Sequence, residues 1–322
     1  MIDQGWIKKQ PKAELHVHLE GSIGMETLNL LAQRKGLGPL QSNPYIFDGF
    51  DEFNKAFVFL AQFLTEEEDF FQVALDFVAR QAAENILYTE VFFMPLFHLS
   101  RAVPAEALIR GVAAGLAEGE KRHKVHVKLI YSIPRIIGPE SGMKTLDFIK
   151  NYPDDRVIAI DLAGTESEND VALFADIFKR ARAMGLKTVA HAGEFSSPEH
   201  IRQSLDLLGA QRIGHGISAQ YNKTLMRRLA DEGIVLEISP TSNVKLKVVS
   251  VLHEHPVRRF FEMGIPLVIS TDDPAVFNTT LSDELMLLKD HLGFKAEEIR
   301  ELINNSFNYS FLDETTRRAI LG

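Results

Sequence analysis

Eight short apolar runs alternate along this chain with longer stretches of helical pattern, and that alternation limits the folds open to it. The runs are Ala13–His18, Tyr88–Pro95, Val125–Ile133, Val157–Gly164, Lys187–Glu194, Arg212–Gly216, Val235–Asn243 and Pro266–Pro274. They lack the regular polar–apolar alternation of a half-buried strand. This pattern indicates parallel strands that are covered on both faces.

Eight such strands separated by helices, in a chain of 322 residues, predict a (β/α)8 barrel. An open doubly wound sheet has the same local pattern and is the alternative. The gap between the first two runs, about residues 21–87, predicts a helical insertion after the first strand. Its Phe-rich stretch from Ile46 to Leu64 is either a lid or ordinary helix packing. A later helical stretch, Asn169–Met184, ends at Gly185. Because no Pro/Ser-rich linker divides the chain, we expect a single domain over residues 1–322.

Charge and cysteine content narrow the classes of function. The formal net charge of -9 argues against a nucleic-acid partner, which needs a basic surface. The chain has no cysteines, so any metal must be held by histidines and carboxylates. The first ten residues lack the apolar core of a signal peptide, and the apolar runs are too short to span a bilayer. We therefore expect a cytoplasmic protein without a membrane partner, and the oligomeric state stays open.

Histidines and carboxylates stand where several of these runs end. His16 and His18 close the first run, and because side chains alternate along a strand they point to the same side. Later runs bring His191, His215 and the pair Asp272–Asp273 to strand ends as well. In a barrel all strand C-termini open at one mouth, so these groups are expected to meet there.

A set of imidazoles and carboxylates without sulfur suits Zn²⁺ in a hydrolytic role, although Fe, Mn or Co could occupy it. A catalytic zinc keeps one position for water and lowers the pKa of that water to roughly 7. The sequence therefore predicts one Zn²⁺ per chain and a hydroxide that is available at neutral pH.

Six segments, in order, resemble the motifs of the adenosine/adenine/AMP deaminase family of metal-dependent hydrolases, and they are most similar to those of bacterial adenosine deaminases. The segments are Pro11–Ser22, Asp161–Gly164, His191–Glu194, Arg212–Gly216, Pro240–Asn243 and Ser270–Pro274. Each motif alone is weak, but their ordered combination is specific. The fold of that family is a (β/α)8 barrel, which agrees with the number of strands.

The resemblance implies a role for each motif residue. The metal ligands would be His16, His18, His191 and Asp272. Glu194 would give a proton to ring nitrogen N1, and His215 would accept a proton from the metal-bound water or orient the hydroxide. Asp273 would bond N7 and the Gly164 backbone N–H would bond N3, while Glu20 and His18 would also contact the substrate. The donation requires a neutral Glu194, so burial is expected to raise its pKa.

Two carboxylates have open interpretations. Asp273 either binds the base or is a second metal-binding carboxylate. Glu237, a charge within an apolar run, is either a partner that orients a metal ligand or an outward, solvated residue. The histidines outside the motifs, among them His98, His253 and His255, are expected to be structural or surface residues.

The substrate implied by the resemblance is a small purine. Adenosine deaminases usually carry Asp in the position of Glu20, whereas Glu is common in relatives acting on adenine or on 5′-modified adenosines such as 6-aminodeoxyfutalosine. Gly214 stands where adenine-specific relatives tend to carry Asp, and no basic cluster beside the first motif would hold a phosphate. We therefore expect hydrolysis of adenosine or 2′-deoxyadenosine to inosine or 2′-deoxyinosine plus ammonia. A 5′-modified adenosine ranks second and adenine third.

Three other functions fit parts of the sequence. Gly214–Ala219 matches G-x-G-x-x-A, with Glu237 about twenty residues on, as in dinucleotide-binding oxidoreductases. That function leaves the strand-end histidines unexplained. A hydrolase of cyclic amides commonly recruits a bridging lysine for a second metal, and Lys128 lies within the third run but not at its end. A catalytically inactive purine-binding barrel would need neither the ligand set nor Glu194.

Overall fold

The computed structural model describes residues 2–167 and 170–321, and within them eight strands form one parallel sheet in chain order. From β1 to β8 the strands are Lys12–His18, Ile86–Phe93, His126–Pro134, Val157–Ala163, Lys187–Ala192, Arg212–His215, Val235–Ile238 and Leu267–Ile269. A parallel bridge between Val17 and Asp272 joins β1 to the segment after β8 and brings the ring close to closure. The predicted (β/α)8 barrel is confirmed, and an open doubly wound sheet is excluded because each strand pairs with the next in sequence.

The helices lie between the strands and around them. From α1 to α8 they are Gln4–Lys9, Met25–Arg34, Phe50–Ala61, Glu67–Ala83, Pro95–Leu99, Ala105–His123, Pro139–Asn151 and Ala175–Ala183. From α9 to α16 they are Pro198–Gln203, Lys223–Asp231, Pro240–Lys245, Val257–Glu262, Pro274–Phe277, Leu281–His291, Ala296–Asn308 and Glu314–Leu321. Asn169, the expected start of the helix before Gly185, lies outside the described residues. None of the helices described is long and apolar enough to cross a membrane.

The predicted insertion after the first strand consists of α2, α3 and α4, and it ends where β2 begins at Ile86. Its last helix packs tightly on α6. A Cβ atom at Gly111 or Gly115 of α6 would lie 2.2 or 2.4 Å from a backbone oxygen of α4, so only glycine permits this approach. The insertion is thus fixed to the outer layer of the barrel on one side, which leaves α3 above the mouth.

The strands β7 and β8 are much shorter than the runs that the sequence predicts for them. β7 ends at Ile238, because Pro240 begins α11 where the predicted run continues to Asn243. β8 ends at Ile269, and Asp272 adopts a left-handed backbone with φ 65° that no regular strand contains. The motif residues therefore lie in loops just beyond the strands, at what we call the upper end of the barrel.

The interior at the opposite, lower end holds charged side chains. Arg212 at the start of β6 donates to Glu90 of β2 through Nη2, and its Nε forms an ion pair of 2.6 Å with Oε1 of Glu237 on β7. The Tyr88 hydroxyl donates to the other oxygen of Glu90 at 2.8 Å. The Phe311 ring covers the guanidinium at 3.8 Å from its centre. We call Arg212, Glu90, Glu237 and Tyr88 the Arg212 cluster.

Candidate active site

Three imidazoles and one carboxylate meet at the upper end, as the strand-end positions predict. Ligand atoms of His16, His18, His191 and Asp272 all lie within 4.8 Å of one another. His18 Nε2 is 3.3 Å from His191 Nε2 and 3.3 Å from Asp272 Oδ1. His16 Nε2 lies 3.5 Å from the same oxygen, and it is buried without a hydrogen-bond partner. Four ligand atoms thus face one point.

The ring nitrogens and the carboxylate oxygen that point away from this common point form hydrogen bonds with buried partners. His16 Nδ1 donates to Glu237 Oε2 at 2.8 Å, and His191 Nδ1 donates to Asp161 at 2.9–3.0 Å. The Ser242 hydroxyl donates to Asp272 Oδ2 at 2.6 Å. Such contacts fix the tautomer and the angle of each ring, and they direct Nε2 of His16 and His191 to the common point. Glu237 therefore orients a candidate ligand, and its interpretation as a solvated residue is wrong.

The donor set fits a zinc ion. It offers nitrogen and oxygen without sulfur, and a buried imidazole nitrogen that lacks a partner is the arrangement a cation would satisfy. A second grouping that could hold a metal is Glu194, His215 and Asp272, and it shares Asp272 with the first. Lys128, the lysine considered for a second metal, donates to the Asp155 carbonyl at the lower end. Throughout the residues described, these groupings amount to a single metal centre.

Glu194 and His215 stand beside this centre. His215 Nε2 lies 3.7 Å from Glu194 Oε2, while Glu194 Oε1 is buried without a hydrogen-bond partner. Burial, with the charge of Asp272 nearby, raises the pKa of Glu194 well above its usual range. Burial lowers the pKa of His215 well below its usual range, so this ring is neutral. The pair thus combines a carboxyl whose protonated form is favoured with an imidazole whose neutral form is favoured.

Asp273 is a second buried carboxyl at this end. Burial and the adjacent Asp272 raise its pKa well above the usual range, and its Oδ1 has no hydrogen-bond partner. A Cβ atom at Gly21 would lie 1.8 Å from that oxygen, so the first motif needs glycine there. Gly164 has φ 95°, a left-handed backbone that glycine adopts without strain.

One cavity of about 110 Å³ joins these groups. It is lined by His18, Phe50, Phe53, Asn54, Phe57, Met94, Ala163, Gly164, His191, Glu194, His215, Leu246, Asp272 and Asp273. The three phenylalanines come from α3, so the insertion forms one wall of the cavity. Phe50 also packs on Phe195, with 4.2 Å between ring centres, directly after Glu194. The cavity has apolar walls on one side and titratable groups on the other.

Glu20 lies outside this lining. Its Oε1 accepts hydrogen bonds from His98 Nε2 at 3.0 Å and from the Met94 backbone N–H at 3.2 Å, and its Oε2 is buried without a partner. His98 is therefore the partner of a motif residue, a connection that the sequence analysis missed. Met94 does line the cavity, and its backbone N–H is held by Glu20. Glu20 therefore supports the cavity wall without lining it.

Three further residues that support the site were missed: Glu166, Asn243 and His255. Glu166 accepts the backbone N–H groups of Gly193 and Phe195 at 2.5 and 2.7 Å, and so holds the loop that carries Glu194. Asn243 contacts His215, and His255 contacts Asn243. Asn243 lies in a recognised motif, but no spacing in the sequence places His255 near it.

A parallel barrel with a histidine and carboxylate centre at its mouth defines a metal-dependent hydrolase of the amidohydrolase type. The adenosine deaminase family model matches residues 11–322, and the chain belongs to that family. It is 36% identical to the adenine deaminase of Cupriavidus taiwanensis over 95% of this chain and 89% of that one.

Solved structures give the same result. The adenine deaminase of Arthrobacter aurescens superposes with a TM-score of 0.91 at 30% identity, covering 97% of both chains. An amidohydrolase from Burkholderia ambifaria, with bound Zn, superposes with a TM-score of 0.90 at 26% identity over 99% of this chain and 91% of that one. The chain is accordingly a purine deaminase by family. The G-x-G-x-x-A match is not a dinucleotide-binding turn, because Gly214 lies within β6 and a short 3-10 helix, Ile217–Tyr221, follows the strand.

Proposed function

We propose that this protein hydrolyses the exocyclic amine at C6 of a 6-aminopurine with the help of one bound zinc ion. One observation carries this proposal. A single cavity is lined by three of the four candidate metal ligands, with the fourth, His16, directly beside them, and by two carboxyls, Glu194 and Asp273, whose pKa values are raised by burial. A hydrolase that must activate water and protonate a ring nitrogen needs both parts.

The zinc ion is assigned to His16, His18, His191 and Asp272. Bound there, it would lower the pKa of a water molecule to roughly 7 and supply a hydroxide at neutral pH. The relative with bound Zn supports this choice of metal. Glu237, Asp161 and Ser242 keep the ligand atoms directed at the ion.

Glu194 is assigned as the acid of the reaction. Attack at C6 places negative charge on the purine ring, and a proton delivered to N1 removes that charge. A carboxyl can deliver it only if it is protonated beforehand, and burial at the cavity wall favours that form. His215, neutral and beside Glu194, faces the attacking oxygen.

Asp273 and Gly164 are assigned to hold the base. A protonated Asp273 carries a hydrogen that N7 of a purine can accept, and its Oδ1 has no hydrogen-bond partner among the described residues. The backbone N–H of Gly164, which lines the same cavity, would donate to N3. The planar base would then lie against the apolar wall formed by α3.

Free adenine is the substrate that we propose within this class, ahead of the nucleosides that the sequence motifs favour. The cavity of about 110 Å³ is well below the roughly 300 Å³ at which pockets for larger ligands begin. Such a cavity suits a base better than a base with its ribose. The relatives from Cupriavidus taiwanensis and Arthrobacter aurescens are both named adenine deaminase, which supports this choice.

Adenosine and its 5′-modified derivatives form the second candidate class, and Gly214 favours them. A Cβ atom at this position would lie 2.8 Å from His16 Cε1, so the aspartate common among adenine-specific relatives does not fit without movement of His16. A nucleoside would also require α3 to move away from the mouth, because Phe50, Phe53 and Phe57 close the cavity.

An ultraviolet deamination assay of the purified protein decides between these substrates. The panel is adenine, adenosine, 2′-deoxyadenosine, AMP, a 5′-modified adenosine and 7-deazaadenine, with Glu194→Gln as the inactive control. We expect the highest kcat/KM for adenine and a much lower value for 7-deazaadenine, which lacks the N7 acceptor. A tenfold preference for any nucleoside would move the substrate to the second class. No turnover of any purine would overturn the function.

A further inference from the structure

His215 is connected on its far side to a chain of buried hydrogen bonds that leads away from the cavity. Asn243 Nδ2 lies 3.3 Å from His215 Nδ1, and Asn243 Oδ1 lies 3.2 Å from His255 Nε2. The backbone N–H of Val257 donates to His255 Nδ1 at 3.1 Å. Among the described residues, the hydrogen bonds of the Asn243 and His255 side chains reach one group that the proposed reaction uses, His215.

The contacts of His255, at the outer end of this series of hydrogen bonds, show which atom donates in each bond. A backbone N–H can only donate, so His255 Nδ1 carries a lone pair. Burial lowers the pKa of His255 to about 3, so the ring is neutral at pH 7 and its single hydrogen is on Nε2. That hydrogen is donated to Asn243 Oδ1, which turns the amide NH₂ group toward His215.

We propose that Asn243 and His255 are positioning residues that fix the tautomer of His215, with Nδ1 accepting from Asn243 and the hydrogen held on Nε2. The Nε2–H group then faces the cavity, 3.7 Å from Glu194 Oε2. The backbone of His215, with φ 62°, is held in a conformation that is costly for a residue other than glycine, as is common where a side chain must be aimed.

This tautomer selects one of the two roles open to His215, and in this respect the inference rests on the proposed function. With hydrogen on Nε2, the neutral ring donates to the attacking oxygen and has no lone pair there to take a proton. Negative charge leaves the attacking oxygen and develops on the purine ring, so this donor contributes by orienting the oxygen toward C6, and correct orientation of a reacting atom raises the rate in its own right. The other tautomer would present a lone pair to the same oxygen and lose that contribution.

The short helix α11 carries both the residue that holds Asp272 and the residue that holds His215. Its Ser242 holds Asp272, and the next residue holds His215. The Asn243 backbone is itself fixed, because its N–H donates to the Ser239 carbonyl and its carbonyl accepts from Val249, both at 3.0 Å. One rigid turn therefore aims a candidate metal ligand and the neighbouring imidazole.

Ring ¹⁵N NMR tests the tautomer directly. Protein labelled with ¹⁵N-histidine is measured at pH 7, both metal-free and after addition of one equivalent of zinc, and the signals of His215 are identified by their loss in His215→Gln. We expect the hydrogen on Nε2 in both states. A hydrogen on Nδ1 in the folded wild-type protein would overturn the proposal whether or not any purine is deaminated.

Two substitutions of His255 test the relay itself. In His255→Gln the amide N–H can still donate to Asn243, whereas His255→Leu fills the space without a donor. We expect the Leu variant to lose about 10–100-fold in kcat, the usual effect of removing an orienting partner, with KM and zinc content unchanged and mixed His215 tautomers. The Gln variant should stay near the wild-type rate.

An equal loss in both variants would show that His255 only packs, and no loss in the Leu variant would show that the relay is not needed. Either result would overturn the inference. Absence of purine turnover in the wild-type protein would instead reject the proposed function, and the ¹⁵N measurement would still decide the tautomer.

Discussion

Both ends of the barrel interior hold buried charged groups, and the two ends differ in whether all of those groups are paired. At the lower end Arg212 is 2% exposed and Glu90 and Glu237 are 0% exposed, and the guanidinium contacts both carboxylates. At the upper end His16, Glu194 and Asp273 each have a buried atom without a hydrogen-bond partner, whereas Arg212 Nε and Glu237 Oε1, which also lack an aligned hydrogen bond, face each other at 2.6 Å. Most barrels fill this interior with branched apolar residues, so both ends need an explanation.

The difference indicates which charges serve the fold and which serve a ligand. Buried charges are tolerated when they are paired, and unpaired ones imply a missing partner. Glu237 joins the two ends, since one of its oxygens faces Arg212 and the other accepts from His16. The lower end therefore serves as the support that orients a candidate metal ligand at the upper end.

Replacement of His191 by alanine should have the largest effect. It removes one of the four nitrogen and oxygen atoms that face the common point, and the remaining three should not retain the ion. We expect loss of zinc and of detectable turnover together, measured by metal analysis and by the deamination assay. His126→Ala, an exposed histidine at the lower end, should change neither. Full zinc occupancy in His191→Ala would contradict the assignment.

Glu194→Gln should separate metal binding from chemistry. Glutamine keeps the shape of the side chain but cannot deliver a proton, so kcat should fall by roughly 10²–10⁴-fold while the zinc content stays unchanged. The exposed Glu199, on the same segment, provides the control Glu199→Gln, which should behave as wild type. A Glu194→Gln variant that retains a third of the wild-type rate would remove this residue from the mechanism.

The substitution Arg212→Met tests the lower end of the barrel, where the buried charges are paired. It leaves Glu90 and Glu237 buried without their cation, and breaking such a pair typically costs about 3–5 kcal/mol. We expect that loss in the free energy of unfolding by urea titration. Arg122→Met breaks an exposed pair with Glu118 and should leave the free energy of unfolding nearly unchanged, because solvent screens that pair. Equal effects of the two variants would remove the distinction between the Arg212 cluster and a surface pair.

The sequence predicts the barrel and the clustering at its mouth for identifiable reasons. The number and order of apolar runs reflect strands buried on both faces, and the i, i+2 spacing of His16 and His18 places both on one side of β1. Because parallel strands end at one rim, residues as distant as His18 and Asp272 could be expected to meet, and they lie 3.3 Å apart.

The supporting contacts could not be predicted in the same way. His16 meets Glu237 across the barrel interior, from β1 to β7, and no local spacing reports such a contact. His255 reaches Asn243 from a short turn that depends on the packing of the surrounding loops. The ends of β7 and β8 were missed because the predicted runs extend into the polar motif residues that follow Ile238 and Ile269, and these residues lie in loops and short helices.

Glu284 provides a smaller, pH-dependent test, because it is a buried carboxyl that belongs to neither end. Burial raises its pKa to about 7, although Thr241 and Thr279 donate to it. The folded protein therefore holds this proton over a range where the unfolded chain has lost it. This contribution to stability is present below the unfolded pKa of 4.5 and is lost as pH rises toward 7.

Glu284→Gln should remove that dependence. Relative to wild type, the variant should gain roughly 2–3 kcal/mol in the free energy of unfolding between pH 4.5 and pH 8, because each tenfold difference in proton affinity between the folded and unfolded chain is worth about 1.4 kcal/mol. Urea titrations at both pH values measure the change. Glu26→Gln, at an exposed position, should show none. A constant difference between Glu284→Gln and wild type would show that Glu284 ionises normally.

Zinc titration of the metal-free protein, with deamination of the best purine of the panel as the readout, tests the central claim most directly. If the unpaired upper end is one metal centre that activates water for a 6-aminopurine, the rate should rise linearly and stop rising at one zinc per chain. Full activity before any zinc is added, or a break at two zinc ions per chain, would contradict that account.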